Sequence, residues 1–362
     1  MTNKYYKIYR SQAEGFNAAL DELLTAVRSD FEQPVRIIFF GSPADNEAYI
    51  NERNTIESKS TTHFKYKPML AYIVQAPLCS TLAAEITAVD NMEVQEIVYH
   101  DDYISINNRE IISGGIYSDT ALTIDQQAEK IFARVSEILN NESVGVCDIV
   151  RQWNYIERIT HMDEGGQHYQ LFNDARSHFY NSCKWENGYP AATGIGTQAG
   201  GVVVTFDAIK DSSEYTIPID NPLQISAHAY SQQVLINSTD KHKTTPKFER
   251  ARHIGGVKPM IHISGTAAIR GEESCEEGIV GQTALTMENI DHLTSIENQY
   301  ASSVATPSKM EYKTLRVYIK HRHNLHDAKQ WMTENYPTTP ALYLWADICR
   351  EELLIEIEGV AQ

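Results

Sequence analysis

The chain has 362 residues, 42% of them hydrophobic and 22% charged, an ordinary globular composition with apolar material for more than one core. At roughly 150 residues per domain, two domains is the expected number. The formal net charge of −17, with lysines and arginines scattered, leaves no basic face for phosphate backbones and excludes nucleic acid as an expected partner, while a few arginines in a low-dielectric cleft still suit a small anionic substrate.

A polar leader precedes a helical stretch at 16–27, and the first strand-like run, 35–40, closes at Gly41-Ser42-Pro43. Short runs follow at 70–75, 82–89, 94–99 and 110–112, the last ending in Ser113-Gly114-Gly115. Ile124, Ala128, Ile131, Phe132, Val135, Ile138 and Leu139 recur at helical spacing and predict an amphipathic helix packed on a sheet. The next run, 144–159, reads as a strand. Between 153 and 252 the pattern is least regular: a helix near 169–180, a Gly-rich loop at 189–201, an apolar strand at 202–206 and a turn-rich stretch at 221–247.

The order then returns. Ile263-Ser264-Gly265 echoes Ile112-Ser113-Gly114, and Gln282 opens a helix as Gln127 does. Met287, Ile290, Leu293 and Ile296 supply the apolar stripe of that helix, and a strand at 314–320 stands where 148–156 stood. A helix at 325–335 and the ending Ile355-Glu356-Ile357-Glu358-Gly359-Val360-Ala361 complete the later copy. The repeat predicts an α+β fold of two tandem domains, 1–185 and 186–362, each a mixed sheet with helices on one face and the site at their interface.

Five cysteines at odd count and wide spacing, without a CxxC pair, predict reduced thiols; with a start lacking the apolar core of a signal peptide, they predict a cytoplasmic protein with no membrane partner. His321, His323 and His326 have no carboxylate or cysteine at ligand spacing, so no metal is expected.

Several side chains carry two readings. Glu272, Glu273, Glu276 and Glu277 form an acidic loop, which solvent alone would explain, or else supply a carboxyl whose pKa neighbouring charge raises. Arg176 shares a helix face with Phe172 and Phe179, either snorkelling or gripping a carboxylate. Arg250, in Phe248-Glu249-Arg250-Ala251, is a second candidate clamp, ranked above Arg252. Tyr155 at a strand end either faces the cleft or is half-buried with its hydroxyl at the surface, and His262, two residues before Ser264, either lines the site or is a satisfied strand histidine.

Six segments carry a resemblance: Trp153-Asn154-Tyr155-Ile156, 169–180 with Arg176, 189–196 with Ala192, Asn221-Pro222-Leu223-Gln224, Phe248-Glu249-Arg250-Ala251 and 264–274. In this order they resemble the chorismatases, enzymes built from Rid/YjgF-like domains that release pyruvate from chorismate. The resemblance implies that Glu273 is the catalytic acid, that Arg176 and Arg250 hold the two carboxylates, and that Tyr155, His262 and Ala192 line the substrate site. It also implies that no cofactor takes part, that the product is a dihydroxycyclohexadiene carboxylate or a hydroxybenzoate, and that the protein is a monomer or homotrimer. The alternative within the same fold is a binder of small carboxylates or an imine deaminase. The Rid deaminases carry an arginine before the terminal segment, where this chain has Thr339-Pro340-Ala341-Leu342-Tyr343. The family commonly has Gly-His-Glu-Ser where this chain has Gly271-Glu272-Glu273-Ser274.

Overall fold

The computed structural model describes residues 1–90, 92–231 and 244–362, so the turn-rich reading of 221–247 lies outside the described residues over 232–243. Three main sheets organise the chain. The first takes β1 (Lys4–Ser11), β2 (Arg36–Gly41), β3 (Met69–Val74) and β4 (Leu82–Val89) in the order β1-β4-β2-β3, with α1 (Phe16–Asp30) and α2 (Asn46–His63) between strands. The second is built from β5 (Ile97–Tyr99), β6 (Tyr103–Ile106), β7 (Glu110–Ser113), β8 (Ile116–Tyr117), α3 (Ile124–Asn141) and β9 (Ile149–Glu157). A short hairpin, β10 (Met162–Asp163) and β11 (Gly166–Gln167), leads to α4 (His168–Tyr180), and β12 (Ala191–Thr197) and β13 (Val202–Ile209) rejoin the second sheet in the order β12-β9-β13-β7-β6-β5.

The third sheet, in the order β14-β15-β16-β21-β19-β20, contains β14 (Thr216–Ile219), β15 (Ala251–Ile254) and β16 (Met260–Ala267). A hairpin of β17 (Ile269–Arg270) and β18 (Glu273–Ser274) follows, then α5 (Ile279–Thr294), α6 (Ile296–Ala301), β19 (Tyr312–Ile319), α7 (Leu325–Asn335), β20 (Ala341–Trp345) and β21 (Ile355–Ala361).

Each sheet is antiparallel except for one parallel pair closed by a crossover helix: β2 with β3 across α2, β9 with β12 across α4, and β19 with β20 across α7. The expected α+β class with mixed sheets therefore holds. The sheets number three, however, and a boundary at 185/186 would fall inside the second, because β9 pairs with both β12 and β13. The repeated glutamine explains why the echo is real. Gln127 accepts from Val202 N–H at 2.8 Å and donates to Leu122 O at 2.7 Å, while Gln282 accepts from Leu354 N–H at 2.8 Å and donates to Cys275 O at 2.9 Å. In both copies one amide ties the helix to the loop before it and to the start of the last strand, satisfying buried backbone groups.

Helices cover one face of each sheet, and the opposite faces meet in a shared core that includes Ile38, Phe40 and Ala83 of the first sheet, Trp153, Tyr155 and Val203 of the second, and Ala267, Tyr318 and Leu344 of the third. Buried ion pairs cross the same junction, Arg36 with Asp207 and Arg316 with Glu85. Three faces packed inward leave clefts only where sheet edges adjoin, and one of these holds the candidate site.

The expectation of five free thiols is corrected at Cys147 and Cys183, which form a disulfide with Cα atoms 5.9 Å apart, while Cys79, Cys275 and Cys349 are free. The pair lies just before β9 and just after α4, which are adjacent in space although 36 residues apart in sequence. Among the described residues no helix is long and apolar enough to cross a membrane.

Candidate active site

The cleft forms where β12 of the second sheet meets β16 of the third. Ala192 N–H donates to Ser264 Oγ at 2.9 Å, Ser264 Oγ donates to Glu249 O at 2.6 Å, and Gly265 N–H donates to Thr193 Oγ1 at 3.0 Å. The backbones approach this closely because glycine occupies both sides. A Cβ on Gly194 would stand 3.0 Å from the Tyr169 ring, and one on Gly265 would collide with Glu356 Oε1 at 2.1 Å. Tyr169, Ala192, Gly194, Gly265 and Glu356 all line the resulting pocket.

Glu356 comes from β21 by simple strand alternation. Ile355 and Ile357 pack into the core beneath α5, so Glu356 and Glu358 point to the other face. Burial pushes the Glu356 carboxyl up to about 8, with the Glu358 charge adding to the rise and Arg151 and Arg250 opposing it. Glu356 is therefore a protonated carboxylic acid at neutral pH, set beside the apolar side chains of Ala267, Ile269 and Leu353 in the pocket wall. Cys349 lines the same wall, and burial pushes its thiol up to about 12, so it is neutral as well.

Opposite the acid are two guanidiniums. Arg250 is 3% exposed and donates from Nη2 to Ile225 O at 2.6 Å and Tyr230 Oη at 2.7 Å. Arg350, 8% exposed, donates from Nη1 to Glu272 O at 2.8 Å and Ser274 Oγ at 3.1 Å. Their Cζ atoms lie 5.6 and 5.2 Å from the Tyr230 ring centroid, which braces both. Neither makes a salt bridge to a carboxylate among the described residues, whereas Arg36, Arg134, Arg151, Arg270 and Arg316 all do. A buried guanidinium that lacks a carboxylate partner among the described residues is a candidate site for an anion.

The residues expected from sequence divide. Arg250 and Ala192 line the pocket. Arg176 is buried one layer behind it, donating to Asn173 Oδ1 at 2.6 Å, and Asn173 lines the wall. Tyr155 faces the shared core instead and accepts from Arg316 Nη1 at 2.7 Å. His262 is fully buried, edge-on to Trp153 with ring centroids 6.4 Å apart, and burial pushes its ring down to about 3, so it is a neutral core histidine outside the pocket wall. Tyr155 lies inside β9, not at its end, and the faces that Tyr155 and His262 occupy meet another sheet and not the cleft.

Glu273 is exposed on the β17–β18 hairpin and is not part of the pocket wall. The hairpin turns at Gly271, whose φ of 59° favours glycine; Glu273 beyond the turn is exposed, while the Glu272 carboxylate accepts from Ser231 N–H at 2.9 Å. The hairpin's contribution to the pocket is the Glu272 carbonyl and Ser274 hydroxyl that orient Arg350. Sequence reasoning missed Arg350 and Glu356. A signal for Glu356 was available: two glutamates alternating with isoleucines in a strand place ionisable groups on a face that the fold buries.

The chain is similar to known proteins. Residues 91–208 match the family model described as "Chorismatase FkbO/Hyg5-like, N-terminal", a stretch that coincides with the second sheet. A 3-hydroxybenzoate synthase of Streptomyces hygroscopicus is 30% identical over 229 residues, covering 60% of this chain and 65% of that protein. A chorismatase of the same organism is 30% identical over 224 residues, covering 60% and 62%. The matched stretches thus fall just short of two thirds of these relatives' length. A crystal structure of a chorismatase shares the fold over 100% of this chain and 99% of its own, with a TM-score of 0.74 at 20% identity. The resemblance to the chorismatase family stands on sequence and on fold.

Proposed function

We propose, with the chorismatase likeness as premise, that this chain releases pyruvate from chorismate or a close enolpyruvyl ether, with Glu356 as the acid. The carboxyl delivers its proton to the methylene carbon of the enol ether, whose C=C electrons form the new C–H bond and leave an oxocarbenium ion. Water then adds to that cation and the hemiketal collapses to pyruvate and a dihydroxycyclohexadiene carboxylate, a net hydrolysis. Alternatively a hydroxyl of the ring adds, and departure of pyruvate with loss of a ring proton leaves a hydroxybenzoate with no net water consumed. Arg250 and Arg350 hold the two carboxylates, and Arg176 backs Asn173 in the wall.

The observation that carries this reading is the co-location, in one pocket, of a carboxyl that burial holds protonated and two buried guanidiniums that have no carboxylate partner among the described residues. A dianion carrying an acid-labile enol ether matches both features. Incubation with chorismate, with pyruvate read by a coupled dehydrogenase and the ring product by mass, tests it. Pyruvate formed by wild type and not by Glu356→Gln is the expected result; binding of chorismate without turnover would make the chain a small-carboxylate binder instead.

A further inference from the structure

Behind the acid is a second carboxylate that no substrate can reach. Glu358, two residues along β21, accepts from Arg316 Nη1 at 3.1 Å and also from Arg151 Nη2, Thr193 Oγ1 and Tyr318 Oη. Arg316 is held on its far side by Glu85 of β4, donating from Nε at 3.1 Å and from Nη2 at 2.5 Å. All three sheets therefore contribute to one buried cluster: Glu85 from the first, reaching it through Arg316, Arg151 and Thr193 from the second, Arg316 and Glu358 from the third.

The same cluster touches the acid at two points. Thr193 Oγ1 donates to Glu358 while accepting from Gly265 N–H at 3.0 Å, and Gly265 is the residue against which Glu356 Oε1 is pressed. Glu356 is also the cross-strand partner of Tyr318, whose hydroxyl donates to Glu358. The charged and titratable groups facing Glu356 are Glu358 from its own strand, Arg151 from β9, Arg250 from the segment before β15, Tyr169 from α4 and Cys349 from the loop after β20.

We infer that Glu358 is a positioning residue that sets the protonation of Glu356, and that Glu85, by clamping Arg316, extends this device into the N-terminal sheet. The inference rests on the reading of Glu356 as the working acid. Although burial opposes it, Arg151 and Arg316 hold Glu358 ionised, so a fixed negative charge stands beside Glu356 and disfavours a second one in the same dry region. Glu85 offsets part of the Arg316 charge; without it Arg316 screens Glu358 more fully and the acid loses part of this support. Arg151 acts in the opposite sense.

The test is a titration of Glu356 without substrate, by carbon-13 NMR of protein labelled at glutamate carboxyls, with the resonance assigned by its absence in Glu356→Gln. Glu358→Gln is expected to lower the midpoint by about one pH unit or more, a tenfold change in proton affinity. Glu85→Gln is expected to lower it less, and Arg151→Gln to raise it. A purely structural role would move all three alike or not at all. If Glu358→Gln fails to fold, because two buried arginines lose their partner, Glu85→Gln carries the test alone. An unchanged Glu356 midpoint in Glu85→Gln and in any folded Glu358→Gln overturns the inference. Because the titration needs no turnover, a shifted midpoint with no pyruvate release would leave this inference standing and defeat the proposed function; pyruvate release with an unmoved midpoint would do the reverse.

Discussion

Two clefts in this molecule are built alike and end differently. Between the second and third sheets, β12 approaches Ser264-Gly265, and Ser264 Oγ accepts from Ala192 N–H at 2.9 Å. Between the first and second sheets, β3 approaches Ser113-Gly114-Gly115 in the same way. Gly115 N–H donates to Leu70 O at 2.8 Å, and a Cβ on Gly114 would stand 2.8 Å from that carbonyl. In this second cleft Arg134 is already paired, donating to Asp102 from Nε at 2.8 Å and from Nη2 at 2.9 Å, with Glu137 at 3.0 Å from Nη1. One residue back from the end of each parallel ladder, the strand partners are Tyr318 with Glu356 in the third sheet, Ile156 with Val202 in the second and Phe40 with Ala83 in the first. Chemistry in a repeated architecture thus follows from which charges the fold leaves unpaired and which strand position carries a carboxyl.

The largest expected effect breaks this comparison outright. Glu356→Gln should lower pyruvate release by about a hundredfold or more, the usual worth of a general acid, whereas Arg134→Gln in the other cleft should leave release unchanged in the same coupled assay. Removing either pocket guanidinium, as Arg250→Gln or Arg350→Gln, should raise KM by roughly tenfold to a hundredfold, since a charge-assisted hydrogen bond contributes about 1.5–3 kcal/mol; steady-state kinetics would show it, and equal KM values would argue against the clamp.

The paired glycines sharpen the point. Gly265→Ala pushes a methyl into the Glu356 carboxyl and should cut kcat along with stability. Gly114→Ala meets the Leu70 and Asp102 backbone, away from Glu356, and should cost stability, about 1–3 kcal/mol by thermal or denaturant melts, with kcat retained in the folded fraction. The buried acid has its own cost. Its folded-state value of about 8 lies above the ordinary 4.5, so the folded chain keeps a proton that the unfolded chain releases. The stability linked to this proton is fully present below about 4.5 and is progressively lost as pH rises from there through about 8. Glu356→Gln should therefore melt higher than wild type at pH 8 while being inactive; an unchanged melting difference between pH 5 and pH 8 would contradict the assignment. The smallest effect is expected at the exposed hairpin, where Glu273→Gln should leave pyruvate release within about twofold, as surface changes usually do.

Much of this molecule was legible before its coordinates. Strong periodicity marks α3, whose apolar stripe is buried, and a short apolar run marks β4, which is buried along its length, because in these elements local pattern and burial agree. The 18-residue α2 was invisible because it has almost no apolar stripe: its buried residues are Tyr49, Ile56 and Ser60, and its start is fixed by Asp45 accepting from Ala48 N–H at 2.8 Å. The Gln127 and Gln282 echo revealed two copies, while the first copy lacks that glutamine device and stayed hidden. Arg250 and Ala192, expected from segment likeness, line the candidate pocket. Glu356 was passed over because an acidic loop at 272–277 looks more like an acid source than two glutamates inside an apolar strand. Only the packing of three sheets shows that the strand face is dry. The disulfide was likewise unreadable, since spacing cannot reveal that β9 and the end of α4 are neighbours.

The most direct measurement is the pH dependence of pyruvate release from chorismate by wild type and Glu356→Gln, side by side. Release by wild type that declines as pH rises through about 8, with none from the variant at any pH, is the predicted result. Release by the variant at the wild-type rate would contradict Glu356 as the acid.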